Sequence, residues 1–290
     1  GIDKGRDPFR THRWEAAPLS PGSAGGETVE IHNPADMSDI VGTVQLATAD
    51  DVTRAIPAAR KAQSGWEAMG GEKRAAILNR AADLYEANAG ELFAIITREA
   101  GKTMADCVAE LREAVDFLRY YGANAPEGEA VGTFTCISPW NFPLAIFTGQ
   151  VSAALGAGNA VLAKPAEQTG LIAHEAVKIM HEAGVPGDVL HLLPGDGPTI
   201  GNVLLSKPEL GGVAFTGSTE TARLINRKLA ERDGPIVPLI AETGGQNAMI
   251  VDSSALPEQV TRDVLMSAFQ SAGQRCSALR VLFVQEDIAD

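Results

Sequence analysis

A cysteine near the carboxyl end of the chain has the surroundings of a nucleophile. Cys276 lies in the run SAFQSAGQRCSAL, residues 267–279, and directly follows Arg275. Small neighbours leave room for a substrate, and an adjacent cation favours the thiolate, which is the reactive form of the side chain. A cysteine among small residues can also be a packing residue. The run by itself leaves both interpretations open.

A carboxylate upstream has the setting of a general base. Glu242 belongs to the run AETGGQN at 241–247, which lies between apolar runs at 235–240 and 248–251. A carboxylate at a strand end, followed by glycines that allow close backbone approach, can face a cleft and accept a proton. The alternative for Glu242 alone is a charge in a solvated loop.

Two turns have the composition of ligand-binding turns. The run FTGSTE at 215–220 leaves a predicted strand and opens a helix, so free N–H groups and the positive helix end suit a phosphate. The run SPWNFP at 138–143 is fixed by its prolines, and the amide of Asn141 can donate to an oxyanion. An asparagine in such a turn also commonly bonds its own backbone.

A third turn contains a lysine and a glutamate. Lys164 and Glu167 follow another predicted strand, where they could bracket the hydroxyls of a sugar or serve as ordinary loop charges. The fingerprint GxGxxG of many dinucleotide-binding proteins is absent from the sequence.

Composition excludes several classes of protein. A formal net charge of -13 argues against nucleic acid or an anionic membrane as a partner, and no apolar run reaches the roughly 20 residues needed to span a bilayer. The three cysteines form no CxxC and the five histidines no metal-binding spacing, so we expect no metal site and no disulfide. We expect a soluble protein of the reducing cytoplasm.

The periodicity of the sequence predicts an α/β fold. After a surface-wrapping segment at 1–28 and two short strands at 29–31 and 40–44, four helical patterns cover 49–66, 72–88, 91–100 and 103–121. In the second of these, Arg74 is assigned to the solvent face. Buried strands are predicted at 134–138, 160–163, 189–192, 213–216 and 236–240, with helices between them at 144–157, 168–183, 199–205 and 219–232. A further helix is predicted to run on to Gly273. Such alternation predicts a Rossmann-like parallel sheet with helices on both faces.

The two motifs AETGGQN and GQRCSA, in this order, closely resemble the glutamate and cysteine signatures of the aldehyde dehydrogenase superfamily. Further runs, among them REAGK, AVDFLRYY, SPWNFPLAIFTGQ, AKPAEQT and FTGSTE, are similar to the aldehyde dehydrogenase module of the proline utilization A family, bifunctional bacterial flavoenzymes that oxidise proline to glutamate. The similarity covers nearly the whole chain.

This resemblance implies an aldehyde dehydrogenase fold with an NAD-binding domain at 1–243, including the helical layer, and the beginning of a catalytic domain at 244–290. It implies that Cys276 attacks an aldehyde, that Asn141 and the N–H of Cys276 hold the oxyanion, and that Glu242 activates water. The cofactor-binding residues it implies are Ser138, Pro139, Trp140, Lys164, Glu167, Gly217, Ser218 and Gly244. Candidates for contact with the substrate are Phe142, Arg275 and Ser277.

The narrower resemblance implies oxidation of L-glutamate γ-semialdehyde, which is in equilibrium with 1-pyrroline-5-carboxylate, to glutamate. It also implies a proline dehydrogenase domain with FAD on the same natural polypeptide and an oligomer of this chain. Two departures matter: relatives continue well beyond Asp290, and the segment between Tyr121 and Gly132 is shorter than the oligomerisation arm of relatives. We therefore expect a fragment of the active protein, with a nearly complete NAD-binding fold and an incomplete substrate pocket. The alternatives are an aldehyde dehydrogenase of other specificity and a non-catalytic NAD-binding fragment.

Overall fold

A five-stranded parallel sheet forms the centre of the computed structural model, which describes residues 2–289. The helices are α1 (Ile2–Arg6), α2 (Ala49–Ala68), α3 (Gly71–Ala87), α4 (Ala89–Glu99), α5 (Met104–Ala123), α6 (Ala145–Gly156), α7 (Gly170–Ala183), α8 (Asn202–Ser206), α9 (Thr219–Glu231) and α10 (Pro257–Phe269). The strands are β1 (Trp14–Ala16), β2 (Thr28–Asn33), β3 (Asp36–Gln45), β4 (Thr133–Ile137), β5 (Ala160–Lys164), β6 (Leu190–Leu192), β7 (Leu210–Gly217), β8 (Leu239–Thr243), β9 (Asn247–Val251) and β10 (Leu279–Val284).

The order of the strands defines where a ligand can enter the sheet. The order is β6-β5-β4-β7-β8. From β4 the chain adds β5 and then β6 on one side, and it then returns to β7, on the other side of β4, and adds β8 there. The connections after β4 and β7 therefore leave the sheet in opposite directions and open a crevice between them. In open α/β sheets this switch point is where ligands bind, beyond the carboxyl ends of the strands.

The inner strands are buried because helices cover both faces of the sheet. Every residue of β5 is buried, as expected for a strand covered on both sides. The helical layer of α2 to α7 packs in the same apolar core, where Trp66 of α2 donates through Nε1 to the carbonyl of Leu155 at 2.9 Å. The prediction of an α/β fold with a parallel sheet and a preceding helical layer is confirmed.

One residue of that layer was placed wrongly by periodicity. Arg74 was predicted on the solvent face of α3, but it is only 1% exposed. Its guanidinium donates to the carbonyls of Glu67, Pro126 and Gly156 at 2.7 to 3.2 Å. A buried arginine is tolerated because carbonyl oxygens replace the water that its N–H groups lose.

The ends of the chain differ most from the predicted elements. The segment at 1–28 contains α1 and β1, and β1 pairs in parallel with β3, which itself pairs with β2. Strand β8 is an exposed edge strand that begins at Leu239, so the prediction of a buried strand at 236–240 is wrong. Helix α10 ends at Phe269, four residues before Gly273, and a tight turn at Gln270–Gly273 follows it.

The last strands form a separate small sheet. Strands β9 and β10 pair in parallel, with Leu279 opposite Asn247.

Among the described residues, no helix combines the length and the apolar character that crossing a membrane requires.

Candidate functional site

A cleft of about 470 Å³ opens at the carboxyl ends of β4, β7 and β8. It coincides with the switch point of the sheet. Most of the predicted site residues line it: Ser138, Pro139, Trp140, Asn141, Gly217, Ser218, Glu242, Gly244, Arg275 and Cys276. Four separate segments of sequence thus meet in one cleft. The three residues predicted for the chemical step, Cys276, Asn141 and Glu242, are among them.

The cysteine is presented to solvent by the turn between α10 and β10. Cys276 is an exposed free thiol. Asn247, the first residue of β9, donates through Nδ2 to the carbonyl of Cys276 at 2.6 Å and to that of Ala278 at 3.0 Å. Asn247 therefore ties the cysteine segment to the segment that follows Glu242.

Sequence reasoning did not assign a role to Asn247. The sequence did contain an indication of its importance, because Asn247 is the last residue of the AETGGQN run. Its partners are main-chain carbonyls, however, and a carbonyl carries no sequence signature. The parallel pairing of β9 with β10 is what brings the two segments together.

The predicted oxyanion donor reaches the cysteine turn. Asn141 follows β4 and donates through Nδ2 to the carbonyl of Gln274 at 2.8 Å. An amide nitrogen has two hydrogens, so this bond leaves one for a ligand. The Asn141 side chain is therefore held beside the cysteine turn by a direct hydrogen bond.

Glu242 lies on the exposed edge strand. It is the residue of β8 that pairs with Thr216 of β7. Its side chain is exposed and lines the same cleft as Cys276. The carboxylate can thus take a proton from water in the cleft.

The turn after β7 has the features of an anion cradle. Ser218 is the N-cap of α9, and its Oγ accepts from the N–H of Thr221 at 3.1 Å. A Cβ at Gly217 would lie 2.6 Å from Cζ of Phe215, so the position requires glycine. The remaining N–H groups of the first turn of α9 are available for a phosphate, which fits the pyrophosphate of a dinucleotide.

The lysine and glutamate predicted at a ribose lie together at the end of β5. Lys164 Nζ is 3.7 Å from Oε1 of Glu167, which also accepts from the N–H of Gly197 at 3.0 Å. Burial lowers the pKa of Lys164, while the nearby carboxylates of Glu167 and Asp196 act to raise it. Lys164 is almost fully buried, whereas about half of the Glu167 side chain is exposed and can meet a hydroxyl.

The three residues predicted to contact the substrate have different environments. The guanidinium of Arg275 donates to the carbonyls of Met266 and Ser267 at 2.8 and 2.7 Å, so it closes the end of α10. The ring of Phe142 packs under the ammonium of Lys102, 4.5 Å from its centroid. Ser277 is exposed beside the cysteine. Their contact with substrate remains a prediction.

A second cleft, of about 720 Å³, adjoins the first at Asn141. The end of α10, the start of α5 and Trp140 form its walls. Asn141 and Gln274 line both clefts. A ligand in the second cleft would therefore lie beside Asn141, which also lines the cleft that contains Cys276.

The other two thiols of the chain are buried. Burial raises the pKa of Cys136 to about 12, and it also raises that of Cys107. Within residues 2–289 no group of three or more metal-ligating side chains could hold a metal ion. Cys276 is the exposed thiol of the three.

The sequence from residue 22 to residue 290 matches the model of the aldehyde dehydrogenase family. The chain belongs to this family. It is 55% identical over 289 residues to the bifunctional protein PutA of Klebsiella aerogenes, covering 96% of this chain and 22% of that protein. It is 35% identical to the 1-pyrroline-5-carboxylate dehydrogenase of Staphylococcus epidermidis, covering 91% of this chain and 55% of that protein.

Solved structures agree with this assignment. The 1-pyrroline-5-carboxylate dehydrogenase from Thermus, solved with bound NAD, superposes with a TM-score of 0.91 at 32% identity, covering 98% of this chain and 59% of that one. The chain thus spans about a fifth of the PutA relative and little more than half of the single-function relatives.

Proposed function

We propose that this chain supplies the nucleotide-binding part and the nucleophile of an NAD-dependent aldehyde dehydrogenase. The observation that carries the proposal is the convergence of Cys276, Asn141 and Glu242 on one cleft at the switch point of the sheet. A thiol nucleophile, an amide donor and a carboxylate base are the groups that oxidation of an aldehyde through a thioester requires.

Each of these groups has one task in the reaction. The thiolate of Cys276 attacks the carbonyl carbon, and the negative charge that develops on oxygen is held by Nδ2 of Asn141 and the N–H of Cys276. After hydride has left this thiohemiacetal, a thioester to Cys276 remains. Glu242 then takes a proton from water, which attacks the thioester and releases the acid and the free thiol.

NAD, when bound, supplies the hydride acceptor for this oxidation. The cradle at Gly217 and the first turn of α9 would hold its pyrophosphate, and Glu167 would accept from a ribose hydroxyl. The charge of Glu167 favours NAD over NADP. The relative from Thermus, solved with NAD, supports this cofactor.

The substrate we propose is L-glutamate γ-semialdehyde. Its support is the 55% identity to a PutA protein and the weaker identity to proteins named 1-pyrroline-5-carboxylate dehydrogenase. The second cleft, beside Asn141, is large enough for this small aldehyde. An aldehyde dehydrogenase of other specificity is the second candidate, because a relative named α-ketoglutaric semialdehyde dehydrogenase is 34% identical.

We propose that the natural polypeptide also carries a proline dehydrogenase domain with FAD. The support is that this chain covers only 22% of a relative that is named as bifunctional. Such a domain would produce the substrate of the dehydrogenase on the same molecule. We propose that the protein is cytoplasmic.

The test is NADH formation by the natural polypeptide that contains this sequence, supplied with NAD and 1-pyrroline-5-carboxylate. We expect Cys276→Ser to abolish the signal and Cys136→Ala, at a buried thiol, to retain it. Comparison with succinic and α-ketoglutaric semialdehydes then decides the specificity. NADH formation that persists in Cys276→Ser would reject the mechanism, and NAD binding without turnover of any aldehyde would reject the enzyme.

A further inference from the structure

The turn that joins α10 to Cys276 has an unfavourable backbone conformation. Ser271 and Ala272 have φ angles of 53° and 56°, and Gly273 follows with 69°. In the part of the chain that the structure describes, Ser271 and Ala272 are the only non-glycine residues with positive φ. The left-handed region disfavours residues that have a Cβ, so such a turn persists only where its surroundings hold it.

A buried carboxylate of α5 holds this turn. Asp106 is 5% exposed, and its Oδ1 accepts from Nε2 of Gln270 at 3.3 Å. Its Oδ2 accepts from Oγ1 of Thr103 at 2.7 Å, and the hydroxyl of Ser271 also acts to lower the pKa of this carboxylate. Burial acts to raise the pKa of Asp106, but these hydrogen bonds outweigh it and leave the pKa below its usual value. The carboxylate is therefore charged when it holds the turn.

The same helix holds the Asn141 turn through a second carboxylate. Oε2 of Glu110 accepts from the N–H groups of Leu144 and Ala145 at 3.3 and 2.8 Å. Its Oε1 is 3.2 Å from Nζ of Lys102, and both side chains are almost fully buried. The ammonium of Lys102 in turn packs on the ring of Phe142, the residue after Asn141.

Asp106 and Glu110 are four residues apart and share one face of α5, while Lys102 precedes the N-cap residue Thr103 and reaches Glu110 from outside the helix. We propose that Lys102, Asp106 and Glu110 are positioning residues that fix the distance between Asn141 and Cys276. This inference rests on the proposed function, since it concerns the alignment of the oxyanion donor with the nucleophile. It assigns no contact with substrate to the three residues.

The position of the hydrogen bond from Asn141 to Gln274 explains why both turns must be held. Gln274 lies between the strained turn and Cys276, and Asn141 lies in the turn that Glu110 and Lys102 hold. If either turn shifts, the amide of Asn141 moves relative to the sulfur. Displacements of about 1 Å in a reacting constellation can lower a rate about a hundredfold.

The first test needs no substrate. Hydrogen exchange of residues 270–276 is compared in the natural polypeptide and in its variants Asp106→Asn and Asp116→Asn, the second at an exposed aspartate of the same helix. We expect exchange to quicken about tenfold or more in Asp106→Asn alone, because local opening follows the loss of the contacts that hold a segment. Unchanged exchange in Asp106→Asn would overturn the inference. If that variant does not fold, Gln270→Ala removes the same hydrogen bond from the other side and is judged by the same result.

The second test measures turnover and NAD binding. We expect Asp106→Asn to lower kcat at least tenfold with an unchanged Kd for NAD, and Ala272→Gly in the same background to restore part of kcat, since glycine adopts the turn without strain. A loss of kcat that Ala272→Gly fails to restore would contradict the inference. If the unmodified polypeptide oxidises no aldehyde, the proposed function fails, and the exchange experiment still decides whether Asp106 holds the turn.

Discussion

Glu167 is the residue that decides between the two nicotinamide cofactors in this account. Its carboxylate lies at the end of β5, paired with Lys164 and accepting from the N–H of Gly197. A hydroxyl of ribose can donate to such a carboxylate, whereas a 2′-phosphate is repelled by it. We therefore expect the discrimination to be electrostatic and to reside largely in one charge.

Glu167→Gln should relax this discrimination. The amide oxygen can still accept from Gly197, so the loop keeps its contact while the charge is lost. We expect the ratio of Kd values for NADP and NAD to fall about tenfold, about 1.4 kcal/mol. Titration calorimetry measures both constants, and Glu182→Gln, at an exposed carboxylate of α7, is the control. An unchanged ratio would show that the preference between NAD and NADP does not depend on the charge of Glu167.

Asn247→Ala tests how the nucleophile is held. The substitution removes both hydrogen bonds to the carbonyls of Cys276 and Ala278. We expect kcat to fall about ten- to a hundredfold because the sulfur loses its fixed position. The exposed Asn226, on α9, gives the control variant Asn226→Ala, which should retain full kcat. Equal kcat values in the two variants would show that Asn247 does not position Cys276.

At the scale of elements, two central helices begin without a local cap and depend on glutamate side chains that are distant in sequence. Neither α6 nor α7 has a side-chain hydrogen bond at its N-cap residue. Glu110 accepts from the first N–H groups of α6, and Glu99 accepts from Leu171 and Ile172 of α7 at 2.7 and 2.9 Å. The layer of α4 and α5 thus completes the helices that cover the sheet.

Glu99 should give the chain a measurable pH dependence of stability. Burial raises its pKa from 4.5 to about 8, although the N–H groups of Ile172 and Leu171 act to lower it. A carboxyl with a raised pKa holds its proton more tightly in the folded state, so its contribution is greatest below pH 4.5 and is lost as the pH rises towards 8. The melting temperature of the wild type should therefore fall over this interval relative to Glu99→Gln.

The control for that comparison is Glu72→Gln, at an exposed carboxylate in the first turn of α3. It should follow the wild type over the whole interval. If Glu99→Gln and the wild type show parallel melting curves between pH 5 and 8, Glu99 does not keep its proton in the folded state. The measurement is differential scanning calorimetry of the three proteins across that range.

The sequence predicts helices and strands well where the periodicity of apolar residues follows burial. It predicts poorly where a contact with a residue distant in sequence determines whether a side chain is buried or where a helix ends. Strands β4 to β7 are apolar because both faces are covered, so pattern alone locates them. Arg74 and Glu99 look like surface charges, since their partners are main-chain groups far away in sequence. The end of α10 at Phe269 also escapes prediction, because Asp106 on another helix holds the turn that replaces its last residues.

The candidate site could be assembled from sequence only in part. The motifs around Cys276, Glu242 and Asn141 are local, and the structure brings all three to one cleft. Two further contacts depend on tertiary packing: Asn247 donates to the carbonyl of Cys276, and Arg275 donates to a carbonyl at the end of α10. No spacing within the sequence contains that information.

At the scale of the whole molecule, burial is unevenly distributed. The core joins the helical layer and the main sheet, whereas only Val251, Gly273, Ala278 and Leu279 are buried among the described residues 244–289. Phe269 is 66% exposed and Ile250 is 82% exposed. Burial already falls after Ile225, so the boundary that the resemblance implies at residue 243 stays a prediction.

Limited proteolysis of the 290-residue chain alone should follow this boundary. Regions with few buried apolar contacts open most readily, so trypsin should cut first after Arg262, Arg275 or Arg280. The product should be a resistant fragment that contains residues 49–232, identified by mass spectrometry. Early cleavage within that range would contradict the division into two regions.

The central claim, that Cys276 and Glu242 act in succession on one substrate, is tested most directly by trapping the thioester. The natural polypeptide with Glu242→Gln is mixed with NAD and 1-pyrroline-5-carboxylate, quenched in acid and digested. Because this variant lacks the base that activates water, we expect one rapid equivalent of NADH and a glutamyl group on the peptide with Cys276, followed by turnover about a hundredfold or more below that of the wild type. Undiminished steady turnover, or no acyl group on Cys276 after NADH has formed, would contradict the account.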